Sequence, residues 1–484
     1  MKRRGFSPST RTFQTMFSGL SRIENWPSHP KQLAHAHALY DYFQRHVEAV
    51  KKHDPNSPEL TTTPIASYIK ILGNAGEYQL IFDIYYALDQ EGPLSANQFI
   101  FTAIFQALSE RKTPGRIVDQ TVQLQNASDA RLLWRQMLKA SERSPGFSVD
   151  SHIISAAIIA LSNGRQADQA FALQIVSDYL GLTTPDLPPH SGKMPLTVQT
   201  LAAALTLCNR MRDHRLCIYF LKQVQKRSEK SGGVALLDRR HMEEVFKAFA
   251  SLAHPDSPIE PKQALETLEW MLKQEIAGPN GPKIRPAIST YSSVLMACCR
   301  GVDWACATRT FELMTGYYTR DFGDDRSSAE PPRMEKRTKG RNLIPDAEIM
   351  THMVRTALAT RKPAYIRQVL RIVNHVGVDD LLGINLTSKG GSHVSQKATK
   401  NPTFYQAKLA AALVETINAV APSHKASGEG RRLEESQCWI VMKERAGSVL
   451  RRVSREPRTP RASDTEDLSE YDRHKKTPHI VATI

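Results

Sequence analysis

The sequence predicts an all-α protein, an α-solenoid of about eight degenerate helix-turn-helix repeats with inserted loops and a disordered C-terminal tail. Three observations lead there. Tyr291, Val294, Leu295 and Cys298 follow the i, i+3, i+4, i+7 spacing of one buried helix face. The same pattern of turn, apolar helix, break and second helix returns with drift along the chain. Of the 484 residues 41% are apolar and 23% charged, a balance that folds in water. The longest apolar runs, 153–161 and 201–208, stop far short of the roughly 18 residues that cross a membrane.

The repeats are read in order. Phe13 to Leu20 forms the first helix of the first repeat. Ile65 to Gly76 opens the second, with 81–90 as its partner. Phe101 to Leu108 opens the third, paired with 130–140 after a polar insertion. Asp150 precedes the helix at 154–161, Thr197 to Leu205 follows, and Asp238 precedes 242–249. The clearest repeat begins at Pro286, breaks at Arg300-Gly301-Val302-Asp303 and continues as 304–318. Pro345-Asp346 then precedes 350–358. One such helix pair cannot bury both its faces, so neighbours must stack on it. The longest insertions are 183–195, 278–285 and the charged 320–341, expected to be a mobile surface segment. The chain divides into a repeat array over 10–382, a helical extension over 383–453 with an amphipathic stretch from Leu433 to Val453, and a disordered tail over 454–484.

Sixty-four Lys and Arg against 49 Asp and Glu leave a net charge of +15, which draws the chain toward polyanions, nucleic acid first among them. Six cysteines without C-x-x-C spacing are too sparse for a disulfide framework and suit a reducing interior. Cys298, Cys299 and Cys306 read as core rather than as a metal site. Aromatic residues, at 7%, argue against a surface built mainly of stacking platforms. No phosphate-binding G-x-x-x-x-G-K, hydrolase G-x-S-x-G or zincin H-E-x-x-H occurs. His241-Met242-Glu243 has the H-x-E of zinc deaminases without the Pro-Cys-x-x-Cys that must follow. The expectation is a non-enzyme without cofactor or metal. Lys2, Arg3, Arg4, Arg11 and Arg22, with no acid before Glu24, have the composition of an organelle transit segment. Because Thr12 to Leu20 also reads as a repeat helix, the chain is expected to begin inside a repeat.

The order of turn, Pro-Asp, two residues, Thr-Tyr, apolar helix, Gly-containing break and second helix resembles the pentatricopeptide repeat family. The repeat at Ile288 matches best, those at Thr10, Gln98 and Ser151 match fairly, and the resemblance spans 10–382. The Trp, Leu-Gly and Tyr series of tetratricopeptide repeats is absent. The resemblance implies a right-handed superhelix and a non-catalytic protein that binds single-stranded organellar RNA, mRNA or rRNA, with its first helices lining a groove and two side chains per repeat facing one base.

One such side chain follows the aromatic of the first helix, here Gln14, Ala66, Thr102, Ser155, Gln199, Glu243, Ser292 and Thr351. The other ends the repeat, here Asn97, Asp150, Met194, Asp238, Ala287 and Asp346. By that resemblance, Thr102 with Asp150 and Ser292 with Asp346 imply a guanine preference. The family clamps bases between aliphatic side chains two places into each repeat, where this chain has Arg11, Thr63, Phe99, His152, Leu196, Arg240, Ser289 and Glu348. Only Phe99 and Leu196 are apolar, so contact dominated by the RNA backbone is expected, with Arg11 and Arg240 on phosphates. The RNA-binding set is therefore Gln14, Asn97, Thr102, Asp150, Ser155, Gln199, Asp238, Arg240, Ser292, Asp346 and Thr351. Asp150, Asp238 and Asp346 also suit plain helix capping. The implied role is mitochondrial, in the matrix, in RNA processing, stability or translation. The alternative is a protein-interaction scaffold that assembles a mitochondrial ribosomal subunit or respiratory complex.

Overall fold

A computed structural model describes residues 8–23, 25–109, 119–143, 147–188, 190–228, 233–324, 331–337, 341–384, 402–420 and 430–455. Among these the chain is all-helical, and its extended pairings are isolated bridges such as Tyr317 with Met334. No described helix is long and apolar enough to cross a membrane. The chain divides into two compact units that part between Met211 and Arg212, inside the array expected over 10–382.

The first unit holds α1 (Thr10–Leu20), α2 (Pro30–His53), α3 (Thr63–Ala75), α4 (Tyr78–Tyr86), α5 (Gln98–Leu108), α6 (Gln120–Arg143), α7 (Ser151–Ser162), α8 (Gln166–Leu180) and α9 (Val198–Arg210). The odd-numbered helices pack side by side, α1 on α3, α3 on α5, α5 on α7 and α7 on α9, while each even-numbered helix leans on its own partner. Composition explains the layering. α5 buries Ile100, Phe101, Ile104, Phe105 and Leu108, and α7 buries Ile153, Ile154, Ile158 and Leu161, so both are apolar on more than one side. Gly73 within α3 permits a close approach, because Ala107 Cα of α5 lies 2.8 Å from where a Cβ would stand. Gly76 ends that helix in the left-handed region, φ +85°, and its N–H bonds Leu72 O at 2.8 Å.

The second unit holds α10 (His214–Lys226), α11 (Arg239–Leu252), α12 (Ile259–Ala277), α13 (Ile288–Arg300), α14 (Trp304–Thr315), α15 (Ala347–Ala359), α16 (Pro363–Val376), the short α17 (Val378–Leu381), α18 (Pro402–Val420) and α19 (Gly430–Arg455). Here α11 packs on α13 and α13 on α15. The same relation runs past residue 382, because α18 lies on α15 with Leu409 and Leu413 fully buried, and α19 covers α18. The amphipathic stretch expected at 433–453 lies within α19. The tail expected over 454–484 falls outside the described residues apart from 454–455.

Two expectations are corrected. The helix expected at 81–90 ends at Tyr86, before Gly92 turns at φ +90°. The segment 320–341, expected to be mobile, is tied down wherever it is described. Tyr318 N–H bonds Arg333 O at 3.1 Å, Glu335 N–H bonds Gly316 O at 2.8 Å, and the Arg333 guanidinium meets Asp321 Oδ1 at 2.9 Å. Arg337 donates to the Leu313 and Glu312 carbonyls at the end of α14. Arg333 and Arg337 of this run are thus engaged in an ion pair and as a helix cap.

Candidate nucleic-acid interface

The register of the first helices is set by their N-caps. Asn97 Oδ1 accepts the N–H groups of Phe99 at 3.1 Å and Ile100 at 3.2 Å, and Asp150 Oδ1 accepts those of His152 and Ile153, both at 2.9 Å. Thr197 caps α9 by a reciprocal pair with Thr200. In the second unit Asp238 accepts the His241 N–H at 3.1 Å while His241 Nδ1 accepts the Asp238 N–H at 3.1 Å, and Asp346 accepts the Ile349 N–H at 3.0 Å. Asn97, Asp150, Asp238 and Asp346, expected to end their repeats, are therefore the caps of the following helices.

Counted from these caps, the second and fifth residues are one turn apart on the same face. Thr61 Oγ1 accepts the Thr63 N–H at 3.1 Å ahead of α3, so in the first unit the second positions are Arg11, Thr63, Phe99, His152 and Gln199, of which all but Thr63 are exposed, Phe99 by 59%. The fifth are Gln14, Ala66, Thr102, Ser155 and Ala202, with Gln14 exposed and the rest half-buried. This corrects the register in α9, where Ala202, not Gln199, is the counterpart of Ser155. Gln199 belongs to the clamp row, and Thr197 takes the place assigned to Met194. Ser155 keeps its hydroxyl on Ser151 O at 2.8 Å, and Asn97 Nδ2 also donates to Thr62 Oγ1 at 2.7 Å, tying the cap of α5 to the start of α3.

The second unit treats the same positions differently. Glu243 Oε1, at a fifth position, accepts Ser289 Oγ at 2.7 Å from the second position of the next first helix. Ser292 Oγ donates to Glu348 Oε1 at 2.7 Å in the next such step, with Ser292 only 4% exposed. Thr351 is buried with its hydroxyl on Ala347 O at 2.6 Å. Ser292 and Thr351, expected to face a groove, are thus covered and engaged, because α15 lies between α13 and α18. Arg240 is exposed, and its neighbour Arg239 lies 3.7 Å from Glu243.

Electrostatics separates two of the caps. Burial works to raise the Asp238 carboxyl, but the bonds from His241 outweigh it and hold the group below its ordinary value. At Asp346 burial prevails over the backbone bonds and the carboxyl sits above its ordinary value, with Oδ2 buried and without a partner among the described residues. His241 is fully buried and committed to its cap, which places the H-x-E resemblance inside the fold. Cys298 and Cys306 are buried, and burial pushes both thiols up, that of Cys306 to about 12. No protein-family model matches this sequence, and no curated protein matches it.

Proposed function

We propose that this chain is a non-catalytic RNA-binding α-solenoid of pentatricopeptide-like repeats, acting in the mitochondrial matrix on the processing, stability or translation of an organellar transcript. The observation that carries the reading is the row of second and fifth positions across α1, α5, α7 and α9. Arg11 supplies a cation for phosphate, Phe99 and His152 supply faces for bases, and Gln199, Thr102 and Ser155 supply hydrogen-bonding groups beside them. The net charge of +15 draws RNA to the protein, and a strand lying on this row is withheld from nucleases. Base reading belongs to the first unit, with Asn97 and Asp150 beside Thr102 and Ser155. Asp238 and Arg240 of the second unit contribute at most charge.

The test is equilibrium binding of single-stranded RNA over a range of salt. Phe99→Ala and His152→Ala are each expected to cost about 1 to 3 kcal/mol of binding, and Arg240→Ala to reduce the slope of log affinity against log salt by about one. Unchanged affinity in all three variants contradicts the reading.

A second reading, a scaffold for a mitochondrial ribosomal subunit or respiratory complex, is favoured by one feature. The Glu243–Ser289 and Ser292–Glu348 bonds use up in the second unit the groups that would meet bases. Protein partners that survive nuclease treatment of a pulldown support it, and partners bridged only by RNA count against it.

A further inference from the structure

In the second unit, α12, α14 and the residues Glu335, Lys336, Arg337, Arg341 and Leu343 border a pocket of about 550 Å³ with Tyr291 of α13 at its wall. That volume lies within the roughly 300–1,000 Å³ of small-molecule sites. Six cationic side chains line it against three carboxylates, Glu269, Glu275 and Glu335, so its field is positive. Part of that charge is already fixed in place. The Glu275 side chain, 3% exposed, accepts Arg285 Nε at 2.6 Å and has Arg341 Nε at 3.3 Å, one carboxylate holding two guanidinium groups. Arg309 is likewise steadied by Glu269 at 3.3 Å and Glu312 at 3.4 Å. Guanidinium groups held this way lose little freedom when they meet an anion. Lys273 and Lys336 are exposed at the same wall and have no carboxylate partner among the described residues. The remaining lining is apolar, with Leu272 and Leu313 inside and Ile276, 68% exposed, left uncovered by the fold.

We propose that this pocket binds a nucleoside phosphate, its phosphate on the lysine and arginine side chains and its base against Tyr291, Leu313 and Ile276. An anionic head joined to a flat, largely apolar body is the shape and charge this lining complements, and inorganic phosphate would leave the apolar wall unused. The nucleotide comes either free or as the 5′ end of an RNA strand. The proposal is independent of the base-reading row, which lies on first helices of the other unit.

The experiment titrates the full chain calorimetrically with AMP, GMP, CMP and UMP, and separately with one RNA 10-mer bearing either a 5′-phosphate or a 5′-hydroxyl. The Lys273→Glu/Lys336→Glu double variant replaces exposed side chains, and Arg309→Ala serves as a second variant, each checked for an unchanged thermal midpoint. Mononucleotide binding that weakens about tenfold or more in both variants supports a free ligand. A preference for the 5′-phosphate strand that vanishes in both variants supports an RNA end. Absence of both effects, or binding that neither variant changes, overturns the proposal. Phe99→Ala is expected to leave the mononucleotide titrations and the difference between the 5′-phosphate and 5′-hydroxyl strands unaltered while weakening both strands alike, so loss of the RNA reading and loss of this one are separable.

Discussion

Ser292 donates its hydroxyl to Glu348 Oε1 at 2.7 Å, from the fifth position of α13 to the second position of α15. Burial holds the Glu348 carboxyl above its ordinary value, aided by the nearby Asp346 and opposed by the bonds from Ser292 and Tyr405 and by Lys408. A carboxyl raised on folding opposes the folded state once the unfolded chain ionises. The opposition is absent below the unfolded value near 4.5, grows until the folded value is passed, and stays constant above it. Glu348→Gln keeps an acceptor for Ser292 without the charge. Its thermal midpoint is expected to exceed that of the natural chain at pH 7, with the gap closing below about pH 4. Melts across that range check it.

Val302 lies in the left-handed region at φ +54°, two residues before α14, as Arg212 at φ +61° precedes α10 and Arg361 at φ +57° precedes α16. A β-branched residue is strained there. Val302→Gly is expected to stabilise the second unit by about 0.5 to 1 kcal/mol, the relief of strain exceeding the entropy that glycine adds to the unfolded chain. Denaturant midpoints measure it.

Gly73 lies against Ala107, so a methyl group at that position drives α3 and α5 apart. Gly73→Ala is expected to cost about 1 to 3 kcal/mol despite the better helix propensity of alanine. Hydrogen exchange should accelerate in α3 and α5 first, and an unaffected or stabilised protein would show that the helices do not pack this closely.

Asp150 caps α7 through two backbone bonds, and the base contact proposed for it is separable from that cap. Asp150→Asn keeps an acceptor at the cap and is expected to change base preference with little loss of stability. Asp150→Ala is expected to lose about 1 kcal/mol of stability as well. Equal base preference in the natural chain and the asparagine variant would leave Asp150 a cap alone.

Cys298 and Cys306 are expected to resist alkylation at pH 8 in the folded chain, because burial keeps both as thiols, and to react once the chain is unfolded. Rapid labelling of the native protein would contradict their burial.

The helices and their caps were legible because a cap needs only a short polar residue before an apolar period, as at Asn97, Asp150, Asp238 and Asp346. The register failed where that cue was weak. In α9 the exposed Val198 stands one residue past its cap and imitates the buried Leu201, which is the true partner of Phe101 and Ile154. The break at 300–303 was legible from Gly301, yet the left-handed residue is Val302, since Gly301 has φ −83°. The Glu243–Ser289 and Ser292–Glu348 bonds were not legible, because they join residues 46 and 56 positions apart that only packing brings together. The positive pocket was hidden for the same reason, its cations being scattered from Lys273 to Arg341.

The most direct measurement is photo-crosslinking of the purified chain to 4-thiouridine RNA, with the modified residues mapped by mass spectrometry. Crosslinks are expected on α5, α7 and α9 at Phe99, Thr102, His152, Ser155 and Gln199, lost when excess unlabelled RNA is added. Crosslinks confined to other surfaces, or none above the level of a non-binding control protein, would contradict it.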